Sequence, residues 1–182
     1  AKGVNEWRTH WRREKRFSGG GIAMDHGSHT FYLTFDWMNA YPTQVTAKMS
    51  ILEPDRYDTE DNFSAVLTFP TGLAHVHLTW TAGVRKVIYT VQGEKGAITV
   101  DDDEIQIATQ HKTEGPDVAQ GAIQWRVERQ NISSDWMDAS HVTWFNSLFD
   151  LFQKAIANND YVSQDLKEAY LCIQAITKAY ES

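Results

Sequence analysis

Residues 18–29 read SGGGIAMDHGSH, and the interpretation of the fold starts from this stretch. Three consecutive glycines interrupt the chain, and a run without proline follows from Ile22 to about Asn39. Apolar residues recur along that run, which predicts a mostly buried helix with Ser18 where a helix cap could form. The helix is expected to end at Tyr41-Pro42, because the residue before a proline resists helical geometry.

Downstream of this helix the apolar residues alternate with polar ones, as in half-buried strands. The strand signal covers residues 45–51, 63–69, 74–80, 87–92, 97–100, 104–108 and 123–131. Short turns between these runs, such as Gly93-Glu94-Lys95-Gly96, imply antiparallel pairing. Helices are expected again over residues 141–157 and 163–180, and the inward face of the last one is read as Leu166, Ala169, Tyr170, Ile173 and Ile176. The layout predicts the α+β class, with a large, mostly antiparallel open sheet packed on one face by helices.

Composition and charge narrow the class of protein. The chain has 182 residues, of which 42% are hydrophobic and 12% aromatic, as in a folded domain with a substantial core. A net charge of -7 argues against a nucleic-acid binder, and no apolar run reaches the roughly 18 residues of a membrane span. No signal-peptide pattern opens the chain, and a single cysteine, Cys172, fits a reducing compartment. We therefore expect a cytoplasmic protein with neither nucleic acid nor membrane as a partner.

The charge is unevenly distributed along the chain. Residues 1–16 carry Lys2, Arg8, Arg12, Arg13, Lys15 and Arg16 against Glu6 and Glu14. A basic segment ahead of an acidic body can meet an anionic ligand, such as a carboxylate or a phosphate, but a solvated connecting segment is the simpler interpretation. The chain begins at Ala1 without a methionine, which suggests a piece of something longer.

The polar face of the predicted sheet carries few full charges. Its residues are Thr46, Ser50, Ser64, Thr68, His75, His77, Thr79, Thr90 and Gln92. A sheet face open to water normally carries more lysine and glutamate, so this composition favours a covered, partly wet interface between subunits. The alternative is a plain solvent face that is rich in threonine for its strand propensity.

The candidate chemistry lies on the first predicted helix. Asp25 and His29 are four residues apart and therefore neighbours on one helix face. A carboxylate there can orient an imidazole or share a substrate hydroxyl with it, while the histidine exchanges a proton near neutral pH. An ion pair or a satisfied core histidine is the commoner meaning of this spacing.

Two other motifs give only weak functional signals. The glycine run does not follow an apolar strand and lacks the G-x-G-x-x-G spacing, so it is not a dinucleotide fingerprint. His75 and His77 would point to one face of a strand and could join a zinc or iron site, but no third ligand is evident. We predict no metal site.

The stretch GGGIAMDHGSHTFYL at residues 19–33 resembles the G-G-G-x-x-x-D-x-G-x-H signature that opens the C-terminal domain of the Gfo/Idh/MocA oxidoreductases. This is the family of glucose–fructose oxidoreductase and inositol dehydrogenase. Three further segments look like parts of the same domain: Trp11-Arg12 ahead of the glycines, the hairpin VQGEKGAITV at 91–100, and the ending EAYLCIQAITKAYES at 168–182. The resemblance covers roughly residues 8–182 and is specific as an ensemble.

The resemblance implies the second half of a two-domain enzyme. An N-terminal Rossmann domain would bind NAD or NADP, so residues 1–18 are expected to be the lead-in from that missing domain. Residues 19–182 would form the substrate-binding and oligomerisation domain, with homo-oligomers built through the open sheet face. No cofactor-binding residue is expected in this fragment, which alone is predicted to be inactive.

The resemblance also assigns roles within the site. His29 falls on the family's general acid/base, which acts on the hydroxyl being oxidised, and Asp25 on the residue that binds or orients it. Trp11, Arg12 and Arg13 are candidate substrate-binding residues, since arginine suits a carboxylate or phosphate. The implied substrate is a sugar, sugar acid or cyclitol.

Two readings from other classes stay open. The same scaffold serves non-catalytic ligand-sensing or regulatory proteins, and the presence of Asp25 and His29 does not exclude such a role. A free-standing metal-dependent enzyme around His75 and His77 would require stoichiometric metal in the purified protein.

Overall fold

The computed structural model describes residues 11–112, 123–132 and 142–182. A 3₁₀ turn at Trp11–Arg13 is followed by helices α1 (Lys15–Ser18) and α2 (Ile22–Met38). The strands are β1 (Gln44–Ser50), β2 (Asn62–Phe69), β3 (Gly72–Thr79), β4 (Ile88–Gly93), β5 (Gly96–Asp101), β6 (Glu104–Lys112) and β7 (Ile123–Asn131). Helices α3 (Val142–Ala157) and α4 (Gln164–Glu181) come last. The predicted α+β class is confirmed, whereas the lead-in before Trp11 lies outside the described residues.

The described strands form two antiparallel sheets, in the orders β1-β2-β3 and β4-β5-β6-β7. The ladder therefore does not run continuously from β3 to β4, as a single large sheet would require. The connecting segment is irregular: the Trp80 amide donates to the Asp61 carbonyl, and the Val87 amide donates to the Asp102 side chain. The predicted turn at Gly93-Glu94-Lys95-Gly96 is confirmed between β4 and β5.

The described chain divides into two compact units, residues 1–83 with 155–182 and residues 84–154. The first unit holds the main core, in which one face of the β1-β2-β3 sheet packs against α2 and α4. The strands contribute Val45, Phe63, Ala65, Leu67, Phe69 and Val76, and the helices contribute Ile22, Ala23, Phe31, Phe35, Cys172, Ala175, Ile176 and Ala179. This period of two in the strands is the one predicted from the sequence.

The predicted bounds of α2 are confirmed, but its N-terminal cap differs from the prediction. Ser18 does not cap it, because Ser18 ends the short helix α1 and its hydroxyl donates to the Glu14 carbonyl. The N-cap position is Gly21, whose side chain can make no capping bond. The helix ends before Tyr41-Pro42, since Asn39 adopts a left-handed conformation with φ of 45°, which asparagine tolerates better than most residues.

The inward face of α4 was predicted wrongly except at Ile176. Cys172, Ala175, Ile176 and Ala179 are buried, whereas Leu166 and Tyr170 are 55% and 62% exposed. Ala169 and Ile173 are exposed as well. Small residues on the inward face let α4 approach the sheet and α2 closely, so the bulky residues lie outward. The helix begins at the expected place, where the Ser163 side chain accepts a hydrogen bond from the Leu166 amide.

Helix α3 carries the apolar stripe expected from the sequence. Its described members Phe145, Leu148, Phe149, Phe152 and Ile156 are between 50% and 61% exposed. Within the described ranges, no helix combines the length and the hydropathy needed to span a membrane.

Candidate active site at the start of helix α2

The first turn of α2 is capped by a carboxylate from a distant loop. Glu60, which lies between β1 and β2, accepts hydrogen bonds from the Gly21 amide at 2.9 Å and the Ala23 amide at 3.1 Å. The Glu60 carbonyl also accepts from the Ile22 amide at 3.0 Å. Glu60 is only 8% exposed, and its charge is satisfied by the helix N-terminus through these bonds and the helix dipole. Glu60 therefore does what was expected of Ser18.

The glycine run is required by close contacts with Glu60 and Tyr180. The Tyr180 hydroxyl donates a 2.6 Å hydrogen bond to Glu60 Oε1. A Cβ atom on Gly20 would collide with that hydroxyl, and one on Gly21 would collide with the Glu60 carbonyl. Burial and the bond to Glu60 raise the pKa of the Tyr180 hydroxyl well above its ordinary value. Tyr180 thus stays protonated and serves as a donor at any physiological pH.

The loop that delivers Glu60 is fixed by its neighbour Asp61. The Asp61 side chain is fully buried and accepts hydrogen bonds from the Leu52 and Glu53 amides and from Asn62 Nδ2. Burial alone would raise the pKa of this carboxyl, but the hydrogen bonds outweigh it and lower the pKa below its ordinary value of 3.8. The ionised Asp61 holds the loop in the shape that places Glu60.

Asp25 lies in the first turn of α2 and pairs with Arg12. Arg12 Nε donates to Asp25 Oδ1 at 3.1 Å, and His26 Nδ1 lies 3.2 Å from Asp25 Oδ2. The Arg12 guanidinium also lies 4.4 Å from the centre of the Trp11 ring. The structure thus brings together Asp25, Arg12 and Trp11. The described partners of the Asp25 carboxylate are Arg12 and His26 rather than His29.

His29 is exposed one turn further along α2, at a depression of about 480 Å³ between α2 and α4. The depression is lined by Ser28, His29, Tyr32, Leu33, Asp165, Ala169, Cys172 and Ile173. Burial, followed by the charge of Glu168, raises the pKa of the Cys172 thiol to about 11. The pKa of Tyr32 is also raised, by Glu168 first and by burial second. Both groups therefore stay protonated at neutral pH.

An aromatic series links the catalytic candidates to Arg13. The His26 ring meets Trp80 edge-on with 6.5 Å between ring centres, and Trp80 stacks on Tyr57 at 5.5 Å. The Arg13 guanidinium lies 4.9 Å from the centre of the Tyr57 ring. Contacts therefore run continuously through Arg12, Asp25, His26, Trp80, Tyr57 and Arg13.

Several residues of this site were missed by the sequence analysis. Tyr57 and Glu60 lie between the predicted strands 45–51 and 63–69, and Trp80 stands only as the last residue of the predicted strand 74–80. A glycine at the N-cap position is one usable signal, because a helix start without its own capping side chain needs an acceptor from elsewhere.

No metal centre was found among the residues the structure describes, where no three His, Cys, Asp or Glu side chains are placed to hold an ion. His75 and His77 lie on the exposed face of β3, and His77 Nδ1 is 2.9 Å from Ser64 Oγ.

Comparison with known proteins identifies the family. The sequence model described as the GFO/IDH/MocA C-terminal domain matches residues 2–99, more than half of the chain. The chain therefore belongs to the Gfo/Idh/MocA oxidoreductase family and contains its C-terminal domain. A comparison with curated protein sequences gave no match.

Solved structures share the fold at low sequence identity. GenD2 from gentamicin A biosynthesis, in complex with NAD, is 22% identical with a TM-score of 0.66, over 96% of this chain and 49% of that one. Aldose-aldose oxidoreductase from Caulobacter crescentus, complexed with glycerol, is 24% identical with a TM-score of 0.57, over 95% and 49%. The UDP-N-acetylglucosamine 3-dehydrogenase GnnA from Acidithiobacillus ferrooxidans is 15% identical with a TM-score of 0.55, over 82% and 45%. The chain spans about half the length of these proteins.

Proposed function

We propose that this chain is the substrate-binding and oligomerisation domain of an NAD(P)-dependent oxidoreductase that acts on a hydroxyl of a sugar, sugar acid or cyclitol. The observation that carries the proposal is the helix α2, which presents Asp25 and His29 on consecutive turns from a start held by Glu60. The names of the structural neighbours support a nicotinamide cofactor and a carbohydrate substrate.

We propose that NAD or NADP binds mainly to a part of the protein outside the described residues. At the start of α2, the Gly21 and Ala23 amides donate to the Glu60 carboxylate. A pyrophosphate would need those amides and would be repelled by that charge, so the described residues fit the substrate half of the site. When bound, the nicotinamide supplies the hydride acceptor.

The residues of this chain handle the substrate and its proton. His29 takes the proton of the hydroxyl as the carbon is oxidised, and Asp25 orients the reacting hydroxyl through a hydrogen bond. Arg12 keeps the Asp25 carboxylate in place through the 3.1 Å bond, while Trp11 supports Arg12 from one side. In an enzyme that uses a cofactor, the protein contributes to catalysis by holding the substrate and the side chains that act on it in position.

A second copy of the chain is proposed to cover the polar face of the β1-β2-β3 sheet. On the β1-β2-β3 sheet, the exposed residues Thr46, Ser64, His75 and His77 form a polar face with few full charges, as in partly wet subunit interfaces.

The experiment uses a longer polypeptide that contains this chain together with a nucleotide-binding domain. Reduction of NAD and NADP is followed by absorbance with glucose, glucuronate and myo-inositol as substrates. The His29→Ala variant should lose about 10²- to 10⁴-fold in rate, the usual contribution of general acid–base catalysis. The His111→Ala variant removes an exposed histidine on β6, outside the proposed interface, and should keep its rate.

Two results would count against the proposal. Full activity in the His29→Ala variant would remove His29 from the mechanism. Binding of a sugar without any reduction of nicotinamide would favour the non-catalytic, ligand-sensing alternative.

A further inference from the structure

We infer that Arg13 is the anion-binding residue of this site, and that its ligand is a monosaccharide bearing a carboxylate or a phosphate. The inference rests on the proposed function and deepens it, because it names the chemical class of the substrate. Two observations support it: the surrounding arginines are paired with carboxylates, and Arg13 is held in place by contacts with Tyr57 and Asp58.

The neighbouring arginines are each neutralised by a carboxylate. Arg12 pairs with Asp25 at 3.1 Å, and Arg16 pairs with Glu14 at 2.8 Å. Arg56 pairs with Glu53. Among the described residues, Arg13 has no carboxylate within ion-pair distance. Its guanidinium, unlike those of Arg12, Arg16 and Arg56, is therefore available to pair with an anionic ligand.

Arg13 is nevertheless fixed in position. Its carbonyl accepts a 3.1 Å hydrogen bond from the Asp58 amide, and the Asp58 side chain in turn accepts a 2.7 Å bond from the Lys15 amide. The guanidinium lies over the Tyr57 ring, which is itself only 7% exposed because it stacks on Trp80. A guanidinium placed on an aromatic face loses little entropy on binding and keeps the N–H donors in its own plane available.

The chemistry of that arrangement selects an anion. Arg13 has intermediate exposure, and its guanidinium has no carboxylate partner among the described residues, so a neutral sugar would offer it no opposite charge. A carboxylate or phosphate would supply that charge and can accept two parallel hydrogen bonds from the guanidinium. The series of side-chain contacts through Tyr57, Trp80 and His26 runs from the Arg13 guanidinium to Asp25.

The test is a binding titration of this chain without any cofactor. Glucuronate, glucose 6-phosphate and glucose are each added to the protein, and the NMR signal of the Trp80 indole is followed. Both anionic sugars should bind at least about tenfold more tightly than glucose, a difference of about 1.4 kcal/mol. The tighter of the two identifies whether the carboxylate or the phosphate is preferred.

Variants then assign the effect to Arg13. The Arg13→Gln variant should bind the anionic sugars about tenfold more weakly, with no change for glucose. Arg13→Lys should be intermediate, because lysine keeps the charge but not the planar fork. Arg16→Gln removes a paired, exposed arginine close by in the sequence and should leave affinity unchanged.

Three results would overturn the inference: equal affinity for glucose and the anionic sugars, equal affinity in the Arg13→Gln and Arg16→Gln variants, or no binding by the unmodified chain. Absence of binding by the unmodified chain would overturn the inference because Arg13 and all the side chains that hold it belong to this chain. Binding is measured without turnover, so this failure is distinct from failure of the proposed function. A longer protein that reduces nicotinamide while Arg13→Gln binds normally would overturn the inference alone.

Discussion

The hydroxyl of Tyr180 donates a 2.6 Å hydrogen bond to Glu60 across 120 residues of sequence, and Glu60 caps the helix that carries Asp25 and His29. The last turn of α4 is thereby tied to the first turn of α2. A carboxylate buried at a helix start is stable only with its donors in place, so the candidate catalytic helix depends on a residue near the C-terminal end of the chain.

Replacing Tyr180 by phenylalanine should destabilise the chain by about 1–3 kcal/mol, because Glu60 loses a donor while it remains buried. The measurement is the free energy of unfolding in urea. The control is Tyr170→Phe, which removes a hydroxyl from an exposed tyrosine on the same helix. Equal unfolding midpoints for the two variants would show that the bond to Glu60 contributes nothing.

Replacing Gly21 by alanine should cost about 1–3 kcal/mol or more, since the new Cβ atom must displace the Glu60 backbone. The control is Gly83→Ala, whose Cβ atom would meet nothing within 4 Å. Thermal unfolding should show a lowered transition for the first variant and little change for the second. A Gly21→Ala variant as stable as Gly83→Ala would contradict the close packing described for the glycine run.

Asp61 should make the stability of the chain fall in acid. Its pKa is lowered in the folded state, so its contribution is present above the ordinary pKa of 3.8 and is lost as the pH falls through the lowered value. Asp61→Asn should be less stable than the original chain at neutral pH, and the gap should narrow as the pH falls. Urea unfolding at a series of pH values measures this gap, and a gap that does not change with pH would contradict the assignment.

Cys172 should react slowly with iodoacetamide in the folded chain. The thiol is buried, its pKa is raised to about 11, and only the thiolate is an effective nucleophile. Mass spectrometry of the alkylated product gives the rate, and the same chain unfolded in urea provides the reference. Equal rates in the folded and unfolded chains would place Cys172 on an accessible surface.

The strands around the core were predictable because their periodicity is local. Phe63, Leu67 and Phe69 lie on one face of β2 at a period of two, and all three are buried against the helices as that period predicts. The start of α2 near the glycine run was predictable for the same reason. In α4, apolar residues occupy several faces, so the sequence pattern could not show that Cys172 and Ala175 lie inward while Leu166 lies outward.

The contacts of the candidate site were less predictable because they join distant segments. Asp25 and His29 are four residues apart, yet the Asp25 carboxylate is bound by Arg12, from a segment with no clear periodicity. Glu60 reaches the helix start from a loop that reads as polar and exposed. Neither the Arg12–Asp25 pair nor the Glu60 cap produces a periodic pattern in the sequence, because each joins segments that meet only when the chain is folded.

The role of His29 in hydride transfer is tested most directly by following the hydrogen that moves. The longer polypeptide is incubated with NAD or NADP and with sugars deuterated at the carbons that bear the hydroxyl groups. The mass of the reduced cofactor is then measured by mass spectrometry. The account predicts one deuterium in the nicotinamide, formed about 10²- to 10⁴-fold more slowly in His29→Ala and at the full rate in His111→Ala. A cofactor that gains no deuterium from any sugar, or that gains it equally fast without His29, would contradict it.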